Sequence, residues 1–213
     1  MTQPSEPIPL SPEARSAALP LHDQDPSERA DAARNRVKLL EAAAALIQER
    51  GAEHLTMDAV AAAACVGKGT VFRRFGDRAG LLLAVLDRTE REFQDAFMFG
   101  PPPLGPGADP IARLDAFGIA SLRHLLDNMN LYLESDRQAA SRYAAPPRNV
   151  RARHLSLLLG QAGVDGDLEL LAQTLLGTLD ATFVHHMLTG RGSTAQQLEA
   201  GWSDVVARIT HRC

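Results

Sequence analysis

The sequence predicts an all-α fold, because three observations agree. Apolar residues recur at spacings of three or four along several stretches, which is the period of one face of a helix. Residues that cap helices, among them Thr56, Asp77 and Asp109, precede these stretches. No stretch of useful length alternates between apolar and polar residues as a half-buried strand does. With 213 residues, of which 45% are apolar, the chain has room for a small N-terminal module and a larger helical domain.

Composition and charge exclude several classes of protein. No run approaches the roughly 18 consecutive apolar residues of a membrane helix, and the N-terminus lacks a basic region followed by an apolar one, so we expect a cytoplasmic protein without membrane contact. The two cysteines, Cys65 and Cys213, have no Cys or His at metal-ligand spacing and are expected to be free thiols, so no metal or cofactor is predicted. The net charge of −4 divides into +3 for residues 34–78 and −7 for the rest, which suits a protein that meets DNA with one face.

The N-terminal part of the chain is predicted to contain a tail and a first helix. Residues 1–31 hold several prolines and scattered acids without an apolar period, so they are expected to be disordered. A helix is predicted from about Ala32 to Arg50, ended by Gly51. Its expected buried face consists of Val37, Leu40, Ala44 and Ile47.

The next stretch predicts a helix-turn-helix. Thr56 caps a short helix that extends to Ala64, a tight turn follows, and a second helix ends at Gly76. Two helices joined in this way present the N-terminal residues of the second helix to the major groove of DNA. Lys and Arg on this helix donate to phosphate oxygens and guanine edges, and Gly69 lets the backbone come close to nucleic acid.

Five motifs in order resemble the TetR family of bacterial transcriptional regulators. They are LLEAA at 39–43, Gly51, LTMDAV at 55–60, VGKGTVFRRF at 66–75 and DRAGL at 77–81. The resemblance covers about residues 36–86. It implies a three-helix DNA-binding domain at 32–79, followed at 80–213 by a helical domain for ligand binding and dimerisation.

The resemblance also implies which residues contact DNA. The expected contacts are Arg36, Thr56, Gly67, Lys68, Gly69, Thr70, Phe72, Arg73, Arg74 and Arg78. Lys68 and Arg73 are predicted to contact bases or the phosphates beside the bases that are read, whereas Thr56, Thr70 and Arg78 mainly position the helix on the DNA backbone. The sequence departs from the family pattern at Cys65 in place of a turn glycine, at Gly67 in place of serine and at Phe72 in place of tyrosine.

The second domain is predicted to consist of helices alone. One helix begins after the Asp77 cap and extends to about Phe99, and a second begins at the Asp109-Pro110 cap. A shorter helix reaches about Ala139, and the next follows a linker that ends at Pro146-Pro147. A helix from about Asp167 to Thr189 is apolar on more than one face, and a capping box at Ser193–Gln196 begins the last helix.

Dimerisation and ligand binding in this domain are expected from the resemblance and from the apolar patterns. A twofold dimer matches a palindromic operator. The predicted dimer interface contains Leu168, Leu176, Leu179, Phe183, Leu198, Trp202, Val205 and Val206. The predicted pocket for a small apolar effector contains Phe117, Leu125, Met129, Tyr132, Leu158, Phe183, His186 and Met187, which are equally compatible with plain core.

Three kinds of function remain open from the sequence. The first is a repressor that an effector releases from DNA. The second is a helical adaptor, or a regulator without ligand control, which the departures at Cys65, Gly67 and Phe72 keep open. The third is a small helical enzyme, but the sequence contains no catalytic motif, and the adjacent His185 and His186 point in different directions on a helix.

Overall fold

The structure is a computed structural model, and it describes residues 26–135 and 146–210. Within these ranges it contains helices and no strand, as the sequence predicts. A short 3₁₀ turn, Ala52–His54, follows the first helix. The helices are α1 (Pro26–Arg50), α2 (Met57–Ala63), α3 (Lys68–Phe75), α4 (Arg78–Phe99), α5 (Pro110–Asp127), α6 (Met129–Ser135), α7 (Pro146–Gln161), α8 (Leu168–Thr178), α9 (Ala181–Thr189) and α10 (Ala195–Thr210).

The chain divides within α1 into two compact units, Met1–Val37 and Lys38–Cys213. The first unit is described from Pro26 onward, and every contact discussed below lies within the second. The boundaries expected after residues 31 and 79 remain predictions. No described helix combines the length and the apolar character needed to cross a membrane.

Two apolar cores lie within the second unit. The first, which we call the N-terminal core, joins α1, α2, α3 and the first turns of α4. The second lies among α4, α5, α7, α8, α9 and α10, and we call these last five helices and α6 the helical body. Phe97 and Phe117 are fully buried there, and the Trp202 indole packs directly on Gly118, where any side chain would overlap the ring.

Helix α6 belongs to both cores. Leu131 is buried in the N-terminal core, although it lies far along the chain from the other members of that core. Its neighbour Tyr132 packs against the core of the helical body. One short helix therefore connects the two regions through adjacent residues.

The structure corrects the predicted first helix. α1 begins at Pro26 instead of Ala32, so six residues of the predicted tail are helical, and residues 1–25 lie outside the described ranges. The buried face consists of Leu39, Leu40 and Ala43, whereas Val37 is 48% exposed. The true face is displaced because the apolar run at 39–47 allows two overlapping helical stripes.

The predicted helix from Asp167 to Thr189 is wrong, because it is two helices. α8 ends at Thr178, and Asp180 begins α9 by accepting hydrogen bonds from the backbone N–H groups of Thr182 and Phe183. A carboxylate in this position competes with the continuing helix for backbone donors. The capping box before α10 is also displaced by one residue, since Thr194 and Gln197 exchange the two capping hydrogen bonds.

Candidate nucleic-acid interface

The turn between α2 and α3 has the geometry of a helix-turn-helix. Thr56 caps α2 as predicted, because its hydroxyl accepts a hydrogen bond from the N–H of Ala59 at 3.1 Å. Cys65 follows the end of α2 with a φ of 53°, in the left-handed region that favours glycine. The N–H of Val66 then donates to the carbonyl of Ala61 at 2.9 Å, which closes the turn. Cys65 is an exposed free thiol, and Cys213 lies outside the described residues.

Helix α3 is anchored on one side and exposed on the other. Val71 is fully buried and Phe75 is 8% exposed, so both hold α3 against the N-terminal core. Five residues of the predicted DNA-contact set form the exposed side, and Thr70 is half-buried beside them. The exposed five are Lys68, Gly69, Phe72, Arg73 and Arg74.

The start of α3 leaves its backbone donors open. Gly67 is the N-cap residue and offers no side-chain hydrogen bond, as expected from the absence of a hydroxyl. A Cβ added to Gly67 or Gly69 would meet no atom within 4 Å. The fold itself therefore does not require glycine at either position, and both backbones are free to approach an anion at the helix N-terminus.

Lys68 is tethered to the neighbouring helix. Its Nζ lies 2.8 Å from the carboxylate of Asp58 on α2 and 5.7 Å from the centre of the Phe72 ring. Both charged side chains are more than half exposed. An exposed pair of this kind is worth about 0 to 1 kcal/mol, so Lys68 can exchange Asp58 for a phosphate or a base at little cost.

Two arginines extend the basic surface along α3. Arg73 Nη2 donates to the Thr70 hydroxyl at 3.3 Å, which places these two predicted contacts side by side. Arg74 is exposed. Arg36, the remaining basic residue of the predicted set outside α3 and α4, is partly exposed on α1 in the first unit.

Arg78 is held by the chain itself although its side chain is 37% exposed, and its role as a phosphate contact remains a prediction. Its guanidinium donates to the carbonyls of Ala52 at 2.7 Å and Leu55 at 3.0 Å. It also pairs with Glu134 of α6 at 3.3 Å. Arg78 therefore connects the loop before α2 to α6. The partners lie 23 to 56 residues away in sequence, so no local pattern indicates them.

The predicted effector-pocket residues separate into three groups. Phe117, Leu125 and Leu158 are buried in the core of the helical body, and Met129 and Tyr132 are half-buried against it. Phe183 and His186 are exposed on α9, with Met187 half-buried beside them. Burial therefore divides the set, and the effector pocket remains a prediction.

A buried polar cluster, absent from the sequence prediction, lies in the helical body. Glu90 of α4 is 8% exposed, pairs with Arg151 of α7 at 2.6 Å and accepts a short hydrogen bond from the Tyr132 hydroxyl. His124 of α5 lies 3.9 Å from Glu90. We call these four residues the Glu90 cluster. The only hint in the sequence is a charged residue at a helix position that faces the core.

Aromatic packing surrounds the Glu90 cluster. The Phe93 ring has His124 stacked on it at 4.8 Å, and the guanidinium of Arg151 lies 4.9 Å from the ring centre. Burial lowers the pKa of His124 and raises that of Tyr132. His124 is therefore neutral at neutral pH, and the ion pair of this cluster is the contact of Glu90 with Arg151 at 2.6 Å.

The predicted dimer residues also separate by burial. Leu176, Trp202 and Val206 are buried in the core of their own chain, so their apolar character is explained without a partner. Leu168, Leu179 and Leu198 are partly buried against the same core. Exposed apolar side chains remain on three consecutive helices, namely Leu170 at 64%, Phe183 at 44% and Val205 at 38%.

Comparison with known proteins places this geometry among bacterial regulators. Residues 39–85 match the model of the bacterial regulatory proteins of the tetR family. The chain is 35% identical over 69 residues to the HTH-type transcriptional regulator SAB2452 of Staphylococcus aureus (strain bovine RF122 / ET3-1). That alignment covers 32% of this chain and 37% of the Staphylococcus protein, so the likeness in sequence is confined to about a third of each chain.

Solved structures extend the likeness in fold to most of the chain. A TetR-like transcriptional regulator from Rhodococcus sp. RHA1 superposes with a TM-score of 0.56 at 21% identity, over 82% of this chain and 94% of that one. SmeT in its complex with triclosan gives a TM-score of 0.59 at 20% identity, over 82% and 90%. The helical body therefore has the same fold as these regulators, although its sequence has diverged.

Proposed function

We propose that the chain is a DNA-binding transcriptional regulator of the repressor type and a member of the tetR family of bacterial regulatory proteins, whose model its residues 39–85 match. The observation that carries the proposal is the exposed basic side of α3, held by Val71 and Phe75 and preceded by open backbone donors. Family membership favours a regulator over an enzyme.

We propose that α3 lies in the major groove, with Lys68 and Arg73 at base edges and with Thr56 and Thr70 at phosphates. Lys68 exchanges its contact with Asp58 for DNA, which costs little because that pair is exposed. The N-terminus of α3 faces a phosphate. Arg78 stabilises the domain from within and makes no DNA contact.

We propose further that the regulator is a cytoplasmic homodimer on a palindromic site and that a small molecule releases it. Leu170, Phe183 and Val205 are the apolar side chains available for the dimer contact. α4 supplies side chains to both cores, so a ligand that displaces it in the helical body also displaces α3. Half-sites one turn of DNA apart, about 34 Å, tolerate little change in the separation of two α3 helices.

The test is selection of bound sequences from a random duplex DNA pool, followed by affinity measurement at several salt concentrations. We expect a palindromic consensus and an affinity that falls steeply with salt. Lys68→Ala should relax the preference at one operator position, while Arg91→Ala, an exposed arginine on α4, is the matched control. A pool without enrichment would instead favour the helical adaptor.

The dimer is tested by sedimentation. Phe183→Glu and Leu170→Glu should each shift the protein toward monomer and weaken operator binding, because a charge would be buried in the contact. Leu157→Glu, a change at another exposed leucine, on α7, is the control. A wild-type protein that sediments as a monomer at micromolar concentration would contradict the dimer.

A further inference from the structure

Among the buried polar atoms that make no hydrogen bond within the described residues, one on α7 and one on α5 belong to residues next to Phe97. His154 of α7 is 7% exposed, and its Nε2 makes no hydrogen bond within the described residues. The Nε of Arg113 on α5 is buried and equally without a partner. We call these two residues the Arg113 pair. A buried donor left unsatisfied destabilises a fold, so their presence requires an explanation.

Phe97 and Phe117 bring the Arg113 pair together. The His154 ring lies 4.6 Å from the Phe97 ring and 5.3 Å from the Phe117 ring. Arg113 Nη2 reaches the carbonyl of Phe97 at 3.4 Å, a long contact. Arg113 itself is half-buried, so its guanidinium extends from the surface toward the aromatic side chains.

The Glu90 cluster shows what the Arg113 pair lacks. In both places a histidine ring lies against a phenylalanine ring, and Phe93 and Phe97 are themselves in contact at 5.3 Å. Arg151 lies over the Phe93 ring, whereas Arg113 reaches the backbone carbonyl of Phe97. Arg151 has the carboxylate of Glu90 at 2.6 Å, whereas no carboxylate of the described residues pairs with Arg113. Within residues 26–135 and 146–210, an acid is supplied to the first cluster and not to the second.

Resting on the proposed function as an effector-controlled regulator, we propose that Arg113 and His154 bind the carboxylate of an amphipathic effector whose apolar part packs on Phe97 and Phe117. A guanidinium and an imidazole N–H are strong donors to a carboxylate in a site of low polarity. Burial and the positive charge of Arg113 lower the pKa of His154 to about 4. His154 is therefore neutral, its Nε2–H tautomer donates to the carboxylate, and Arg113 supplies the charge.

Binding of such an acid changes a contact at the end of α4. Arg113 now lies at the carbonyl of Phe97, in the last turn of α4, where a positive charge favours the negative end of the helix dipole. A carboxylate competes for that guanidinium and draws it away from α4. The effector thus acts on the end of the helix whose first turns lie in the N-terminal core.

The experiment uses the full chain and two acids with different apolar parts, sodium decanoate and 2-naphthoate. Their neutral counterparts are 1-decanol and 2-naphthamide, and binding is followed by calorimetry and by the fluorescence of Trp202, which is buried in the same core. We expect at least one acid to bind about 10- to 100-fold more tightly than its neutral counterpart. Equal binding of acid and neutral compounds, or no binding by either acid, would overturn the proposal.

Three variants locate the carboxylate. Arg113→Met should abolish the preference for the acid, His154→Phe should reduce it several-fold while keeping the ring, and Arg113→Lys should retain part of it. Arg123→Met, which removes an exposed arginine of the same helix that pairs with Glu199, is the matched control and should keep the preference. A preference that survives in Arg113→Met would overturn the assignment.

Two readouts separate this proposal from the proposed function. Arg113→Met should melt no lower than wild type, because it removes an unsatisfied buried donor, and Arg113→Gln serves if the first variant does not fold. Operator affinity is measured in the same preparations without acid. Intact operator binding with no preference for acids overturns only the effector class, whereas a wild-type protein that selects no DNA overturns the regulator itself.

Discussion

Arginine side chains lie in opposite surroundings on α3 and in the helical body. Arg73 and Arg74 are exposed, while the Arg151 side chain is only 17% exposed, packs against the Phe93 ring and is paired with Glu90. An exposed guanidinium stays hydrated until a phosphate replaces the water, whereas a buried one must be paired or it destabilises the fold. Removing a charge from the surface of α3 should therefore leave the stability of the fold nearly unchanged. Removing the carboxylate that pairs with Arg151 in the helical body should destabilise the fold.

The largest loss of stability is expected for Glu90→Ala. Arg151 would remain buried without its carboxylate and Tyr132 without its acceptor, so we expect a loss of about 3 to 5 kcal/mol in the free energy of unfolding. Urea denaturation measures it. Glu92→Ala is the control on the same helix, because Glu92 is 60% exposed and its pair with Arg88 contributes about 0 to 1 kcal/mol. Equal losses in the two variants would refute the difference.

Acid should weaken the helical body through His154. Its pKa is about 4 in the folded chain, below the ordinary value of 6.5, so between these pH values the unfolded chain binds more protons. Stability should therefore fall as the pH decreases from about 6.5 to 4, by at most about 3 kcal/mol from this residue. Urea midpoints of wild type and His154→Gln across this range measure the contribution. Parallel pH curves for the two proteins would show that His154 is not the cause.

Arg78 tests the comparison at the edge of the DNA-binding region. Its guanidinium is bound there by backbone carbonyls of the chain itself. Arg78→Met removes the donors to Ala52 and Leu55, so we expect the free energy of unfolding to decrease by about 2 to 3 kcal/mol. The dependence of operator affinity on salt should keep its slope. A variant of unchanged stability whose salt slope is flatter by about one unit would restore the phosphate contact predicted from the sequence.

Lys68→Ala and Arg73→Ala should affect DNA and leave the fold intact. Each is expected to lose about 1 to 3 kcal/mol of operator affinity, with a change in unfolding free energy within about 0.5 kcal/mol. Fluorescence anisotropy on the selected operator and thermal melting give the two quantities. If both variants bind the operator like wild type, the assignment of α3 as the reading helix is wrong.

Cys65 should give the smallest effect. Its φ of 53° strains a residue with a side chain, and glycine removes the strain while adding entropy to the unfolded chain. We expect Cys65→Gly to raise the free energy of unfolding by about 0.5 to 1 kcal/mol and Cys65→Val to lower it. Chemical denaturation measures the free energy of unfolding of both variants and of wild type. A less stable glycine variant would show that the thiol makes a stabilising contact.

Signals between residues close in the sequence predicted much of this structure. Pairings between residues distant in the sequence were not predicted. The caps at Thr56, Asp77 and Asp109 are confirmed, since a cap bonds to backbone within three residues. Arg78 was assigned to DNA because its partners lie elsewhere in the sequence. Glu90 and Arg151, 61 residues apart, carry no pattern that indicates their pairing.

The end of α8 before Asp180 was missed, because two signals in the sequence disagree at this position. Asp180 is a good cap residue, but the apolar positions on both sides continue in helical phase, so periodicity favoured one long helix. The burial of Leu176 and Trp202 in their own chain was likewise beyond sequence, because an apolar stripe does not reveal whether it packs on the same chain or on a partner.

The position of α6 limits how this regulator can be recombined with others. Leu131 completes the N-terminal core and Glu134 holds Arg78, so a chimera cut between α4 and α5 would leave that core without a buried leucine and Arg78 without its acid. Transfer of the operator specificity of this chain to another scaffold therefore requires that residues 129–135 are transferred together with α1 to α4. Exchange of α3 surface residues alone avoids the difficulty, because Lys68 pairs with Asp58 of α2 and Arg73 with Thr70 of α3 itself.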